Sequence, residues 1–239
     1  MMKPESEKHL DAATREPQYQ RSIDLVAAKG LTTFGLMTNQ AWQDDPRHVV
    51  FTLARYKFVA KMLSGRSNVL EIGCADAFGT RLVVQEVKRL TATDFDPVFV
   101  ADVLRRMDDR WKFDCMQHDL LAGPIPGSFD SAYALDVIEH INPSDEDVFV
   151  SNIVKSLTRE GVLILGTPSL ESQAHASPPS KAGHVNCKTG KSLRALMERY
   201  FHTVFMFSMN DEVVHTGFAP MAHYLIAIGC TQREQWQGR

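Results

Sequence analysis

The chain has 239 residues, 44% of them hydrophobic and 23% charged, with a formal net charge of −3. That is the composition of a globular protein with one sizeable core and room for an appended segment. No apolar run approaches the roughly 20 residues that span a bilayer, and a slightly acidic balance gives no reason to expect strong nonspecific binding to nucleic acid. The four cysteines, Cys74, Cys115, Cys187 and Cys230, form no C-x-x-C pair. This argues for free thiols in a reducing cytoplasm over a disulfide frame or zinc site. The opening Met1-Met2-Lys3-Pro4-Glu5 lacks an apolar signal core and carries an acid, so a cytoplasmic location is expected.

In chain order, residues 1 to about 20 are polar, mixed in charge and expected to fray. Ser22 to Leu36 is weakly helical and broken by Gly30 and Gly35. Asp44-Asp45-Pro46 is a helix start, with an acid to cap and proline at the first helical position. The run Arg47 to Leu63 places Val50, Phe51, Ala54, Phe58 and Met62 on one stripe and stops at Gly65. Residues 1–46 are therefore expected to form an N-terminal helical, partly disordered cap, and 47–239 the main domain.

The centre of that domain is Val69 to Ile72, a buried strand carrying one acid, Glu71, followed by small residues at Gly73, Ala75, Ala77 and Gly79. Thr80 to Arg89 then has helical spacing. A strand, a small-residue turn and a helix start let a backbone approach a nucleotide closely. A dinucleotide turn wants G-x-G-x-x-G, but the third position here is Phe78, and the spacing is instead E-x-G-x-A-x-A-x-G. A glutamate before the first glycine repels a pyrophosphate and attracts an amino group or sulfonium. Leu90 to Asp94 is a second strand ending in an acid, where a carboxylate can accept both ribose hydroxyls of an adenosine group. Asp96-Pro97 opens the next helix, Val98 to Met107.

Trp111 to Gln117 reads as a third strand ending at His118-Asp119-Leu120, and Gly123 to Gly127 as a turn. Phe129 to Leu135 is a fourth strand, followed at the sheet end by Asp136-Val137-Ile138-Glu139-His140. Ser144 with Asp147 resembles a capping box for a helix running to about Leu157. Gly161 to Gly166 is a fifth strand with a stop at Pro168. Residues 169–188 are too long for a mere connection, a candidate lid or acceptor loop. They deliver His184 to a helix, Lys191 to Tyr200, with Leu193, Leu196 and Met197 inward. Thr203 to Met209 and His223 to Gly229 are two last strands whose short linker predicts an antiparallel pair.

The segment Val69 to Gly79 resembles the first motif of class I S-adenosylmethionine-dependent methyltransferases, with Ala75 and Ala77 where that family usually has glycines. D-x-x-E-H at Asp136, Glu139 and His140 is similar to E-x-x-E-H of the ubiquinone-pathway O-methyltransferases and of the small-RNA 2′-O-methyltransferases, with Asp136 replacing the first glutamate. The resemblance implies an α/β, Rossmann-like doubly wound fold, with a mostly parallel seven-stranded sheet, an antiparallel terminal hairpin and flanking helices. It implies S-adenosyl-L-methionine as cofactor. Glu71, Gly73, Cys74, Ala75 and Gly79 would hold its methionine end, Asp94 and Phe95 its ribose side, Asp119 and Leu120 its adenine, and Asp136 the adjoining loop. Two readings stay open for the chemistry, beside a third in which Asp136 and Glu139 only support the cofactor loop and cap the next helix while His140 lines the pocket. In one, His140 or His184 is a general base, since imidazole titrates near neutrality. In the other, Asp136, Glu139 and His140 hold a divalent cation such as Mg²⁺ that acidifies an acceptor hydroxyl. The acceptor implied is a small molecule (a sugar, a phenol or quinone-like ring, or an amine) methylated at oxygen or nitrogen. An RNA 2′-O-methyltransferase, a nicotinamide-dependent dehydrogenase and a non-catalytic cofactor-binding relative are the alternatives, and the oligomeric state is not legible.

Overall fold

A computed structural model describes residues 14–234, so part of the N-terminal stretch expected to fray lies outside the described residues. The chain divides into two compact units, Met1–Phe34 and Gly35–Arg239. The first holds helix α1 (Gln20–Lys29), which ends where Gly30 takes φ 74°. The second runs α2 (Leu36–Asp44), α3 (Arg47–Met62), β1 (Val69–Ile72), α4 (Thr80–Val84), β2 (Leu90–Asp94), α5 (Pro97–Arg106), β3 (Asp114–Gln117) and β4 (Phe129–Leu135). It continues α6 (Glu146–Ser156), β5 (Leu157–Pro168), α7 (Pro178–Gly183), α8 (Gly190–Glu198), β6 (Phe201–Asn210), β7 (Val213–His215) and β8 (Tyr224–Gln232).

The strands form one sheet in the order β3-β2-β1-β4-β5-β8-β6-β7. The first five pair in parallel and the last three join antiparallel. Strand order reverses between β1 and β4, which opens a crevice at their carboxyl ends, where open α/β sheets take their ligands. The sheet has eight strands, not seven. The additional one, β7, has only three residues, too few for an alternating pattern to register.

Both faces of the sheet are covered. Leu70 and Ile72 of β1 join the apolar layer under α6 and α8, while Val69 faces the layer that includes Tyr56, Val59 and Leu63. The period of two along β1 therefore puts Glu71 on the α3 side. That side corrects the expected stripe of α3. Its buried residues are Val49, Tyr56, Val59 and Ala60, whereas Val50 and Met62 are 53% and 47% exposed. Helix α4 is also shorter than its spacing predicts. Beyond Val84 the backbone bonds sideways to the lead-in of β1, with Gly65 donating to Glu86 O and Lys88 donating to Arg66 O.

The Ser144–Asp147 box does not form; Ser144 Oγ bonds Asp145 and the helix begins at Glu146. The reciprocal box lies instead between Thr189 and Ser192, at the start of α8. Segment 169–188 is built rather than structureless: it holds a 3₁₀ turn, Glu171–His175, and α7, and is closed by a bridge between Ser169 and Lys188. Among the described residues no helix is long and apolar enough to cross a membrane.

Candidate cofactor and acceptor site

After β1 the chain turns through three residues in the left-handed region, Gly73 (φ 68°), Ala75 (φ 45°) and Ala77 (φ 51°). Holding alanine there costs of order 1 kcal/mol per residue, so the surroundings must enforce it. They do: Cys74 N–H donates to Thr93 O at 3.0 Å and Ala77 N–H to Cys74 O at 2.7 Å. Ala75 N–H donates to the Asp94 carboxylate at 2.8 Å. Glycine is required at two positions. A Cβ on Gly73 would meet Val137 Cγ2 at 2.4 Å, and one on Gly79 would meet the Tyr56 ring at 2.3 Å.

Glu71 lies beneath this turn, 1% exposed. Tyr56 OH and Thr80 Oγ1 donate to its two oxygens, both at 2.7 Å. Burial pushes its pKa up to about 7, against the pull of those hydroxyls. Glu71 thus ties α3, β1 and α4 together from inside, and its carboxyl does not face the crevice. Asp94 is 6% exposed and accepts the N–H groups of Ala75 and Asp96 at 2.8 and 3.0 Å. Each of its oxygens keeps a second lone pair for a ligand hydroxyl. Phe95 beside it is 70% exposed. Asp119 is exposed and accepts Leu121 N–H at 2.8 Å, whereas the Leu120 side chain is buried in the core.

The second cluster follows β4. Asp136 also takes a left-handed backbone, φ 57°. Both of its oxygens lie 2.8 Å from Arg55 Nη1 on α3, and the guanidinium stacks 3.8 Å from the Tyr224 ring centroid. Arg55 Nε and Tyr224 OH are buried without a hydrogen-bond partner. Arg55 joins this cluster although sequence reading did not single it out; its signal is a cation in the otherwise apolar stretch just before Tyr56.

Glu139 is fully buried; Thr167 Oγ1 donates to its Oε2 at 3.1 Å, and Oε1 has no partner. Burial and the nearby Asp136 charge hold its carboxyl well above the usual range. His140 Nδ1 bonds Gly183 O and His184 Nδ1 bonds Gln173 Oε1, each at 2.9 Å. Both partners are acceptors, so the ring proton sits on Nδ1 and the Nε2 lone pair is free. Burial lowers the His184 pKa, and His140 adds to the effect. The two rings stand 5.2 Å apart, and a ligand atom from each of Glu139, His140 and His184 lies within 4.8 Å of the others. Asp136 is absent from that group because Arg55 holds it, and His184 stands in its place. The loop is pinned for this: Val185 and Asn186 N–H both donate to Glu139 O, at 2.8 and 3.0 Å.

Residues 70–163 match a family model described as a methyltransferase domain, a stretch that includes both turns and ends before His184. A probable S-adenosylmethionine-dependent methyltransferase of Mycolicibacterium smegmatis is 32% identical over 115 residues, 48% of this chain and 42% of that protein. One from Mycobacterium tuberculosis is 31% identical over 119 residues, with the same shares. The chain thus spans less than half the length of these curated relatives. Among solved structures, the N-methyltransferase NodS of Bradyrhizobium japonicum, in complex with S-adenosyl-L-homocysteine, superposes with a TM-score of 0.56 at 21% identity, covering 79% of this chain and 89% of that one. The methyltransferase domain of bacterial CtHen1 gives 0.61 at 16% identity, covering 75% and 99%.

Proposed function

We propose that this chain, which carries a class I S-adenosylmethionine-dependent methyltransferase domain, methylates an oxygen or nitrogen of a small-molecule acceptor. One observation carries the reading. The narrow turn at Gly73 packs directly on Val137, so the strained cofactor-type loop adjoins the Glu139–His140–His184 cluster at the carboxyl ends of β1 and β4.

The residues present fit the cofactor. The backbone of Gly73, Cys74, Ala75 and Gly79 would line its methionine end, with Asp94 and Phe95 at the ribose and Asp119 at the adenine, where Leu120, its side chain in the core, would offer only backbone. When bound, S-adenosylmethionine supplies a methyl group on a sulfonium, a leaving group already activated. What remains for the protein is alignment and removal of one acceptor proton. His140 or His184 takes that proton at Nε2, and the carbonyl or amide oxygen on Nδ1 keeps each ring oriented. Arg55 holds Asp136 at the mouth of the crevice. Nitrogen stays in the reading because NodS is named an N-methyltransferase; sugars, phenols and amines are the acceptor classes to screen. The four free cysteines fit a reducing cytoplasm.

Calorimetric titration with S-adenosylhomocysteine, beside NADH and with or without Mg²⁺, is the test. Micromolar binding of the homocysteine product, lost in Asp94→Ala, is expected. In a methyl-transfer assay His140→Ala or His184→Ala should lower kcat by about 100-fold or more, with product affinity little changed. Binding of NADH alone, or of neither, overturns the proposal.

A second reading rests on Glu139, whose buried Oε1 has no partner, in a cluster where one ligand atom each from Glu139, His140 and His184 lie within 4.8 Å of one another. These three atoms would hold a divalent cation, which would lower the pKa of an acceptor hydroxyl. Activity unchanged after exhaustive chelation removes this reading and leaves the imidazole base.

A further inference from the structure

Cys74 occupies the tightest part of the cofactor turn, 2% exposed between Gly73 and Ala75, both with left-handed backbones. Cys115 lies half-buried on β3, the outermost parallel strand. Strand β2 brings them together: Cys74 N–H bonds Thr93 O, and Cys115 pairs with Ala92, the preceding residue. Both side chains join the same apolar layer on one face of the sheet; Cys74 Sγ donates to Ala75 O at 3.7 Å, and each thiol shifts the other's ionisation, as neighbouring sulfurs do. The other cysteines lie elsewhere, Cys187 in the loop before α8 and Cys230 on β8.

We propose that Cys74 and Cys115 are a modification site: a peroxide joins them in a reversible disulfide that deforms the Gly73–Gly79 turn and suppresses cofactor binding. The proposal rests on the reading that this turn holds the cofactor. In the first step the Cys115 thiol attacks the peroxide O–O bond, giving a sulfenic acid and one water. In the second, Cys74 sulfur displaces the hydroxyl, which leaves as a second water, and the S–S bond forms. Two thiols lose two electrons and two protons, and one peroxide becomes two waters. A thiol reductant reverses the change by exchange.

The order of attack follows from position. Cys115 is the more accessible sulfur, and the neighbouring Cys74 thiol holds it below the ordinary range. Cys115 and burial together raise the Cys74 thiol, which suits it to the resolving role. The consequence follows from the turn. The two sulfurs must close to about 2 Å to form a disulfide. Cys74 moves toward the edge strand, between two backbone positions with no slack and beside the Ala75–Asp94 bond.

The experiment treats the full chain with hydrogen peroxide, counts thiols, maps disulfide peptides by mass spectrometry and titrates S-adenosylhomocysteine before and after. We expect a Cys74–Cys115 peptide and loss of two of the four thiols. Product affinity should weaken by about tenfold or more, the scale of one disturbed strained position, and return with dithiothreitol. Cys115→Ser should bind normally and keep its affinity in peroxide; Cys115→Ala repeats the test in case serine perturbs β3. Absence of the Cys74–Cys115 peptide overturns the proposal. So does a cross-link with affinity unchanged, or an equal loss in the Cys115 variants. If the reduced chain does not bind the product at all, the functional reading fails instead, and thiol counting still decides whether the pair oxidises.

Discussion

Glu71 is buried where α3, β1 and α4 meet, 1% exposed. Its place before Gly73 reads as a charge offered to a cationic ligand, yet both oxygens are taken by Tyr56 and Thr80 hydroxyls and the side chain faces α3. Alternation along β1 shows that Glu71 and Val69 share a face, but in a strand covered on both sides it does not say which face borders the crevice. The burial has a thermodynamic consequence. Below pH 4.5 the carboxyl is protonated in folded and unfolded chains alike; between 4.5 and about 7 only the unfolded chain ionises it. Stability is therefore fully present at low pH and lost as pH rises through that window, on the order of 3 kcal/mol from this group. Glu139, also raised, acts in the same direction. Urea unfolding across the window should show a falling midpoint in the native chain and a shallower fall in Glu71→Gln, which mimics the neutral acid. Identical slopes for the two proteins would mean that Glu71 titrates normally.

At the scale of elements, α2 shows how the turn recruits its neighbours. Its first-turn N–H groups, on Leu36 and Thr38, donate to Asp102 at 3.4 Å and to Asp76 at 2.6 Å. Asp76 belongs to the Gly73–Gly79 turn itself, and Arg106 secures its carbonyl at 2.5 Å. No signal beside α2 marks this, because both caps come from distant segments rather than from the residue before the helix. The same limit explains α4: Thr80 to Arg89 has helical spacing, but the backbone after Val84 finds partners in residues 65 and 66. Elements whose partners are local, such as α5 with its Asp96 cap and Pro97, were legible with nearly the observed bounds. We predict that Asp76→Ala costs about 1 kcal/mol, the usual value of a helix cap. It should raise amide exchange in residues 36–44 well before the sheet exchanges. Exchange that rises equally throughout the domain would show that Asp76 serves the turn alone.

At the scale of the molecule, the site is legible where one stretch of chain makes it and obscure where the fold assembles it. The Gly73 turn, Asp94 and the pair Glu139–His140 each follow a strand end and could be placed from the βα order. Arg55 on α3 reaches Asp136 across 81 residues of sequence, and the third member beside Glu139 and His140 is set by a loop pinned to Glu139 O. Sheet order has the same character. The last strand in sequence, β8, lies between β5 and β6, paired on both edges. Its Tyr224, Leu225, Ile226 and Ala227 are each at most 1% exposed. Burial of each large apolar side chain contributes about 2 kcal/mol, and a domain has only about 5–15 kcal/mol in net stability. Losing this strand also leaves the facing edges of β5 and β6 unpaired inside the sheet. A chain ending at residue 222 should therefore lack cooperative unfolding and near-ultraviolet dichroism. By contrast Val213→Ser, on the short outer strand where Val213 is 57% exposed, should shift the unfolding midpoint only slightly. A shortened chain that still unfolds cooperatively would show that the five parallel strands close a core of their own, with the antiparallel end an addition to a complete domain.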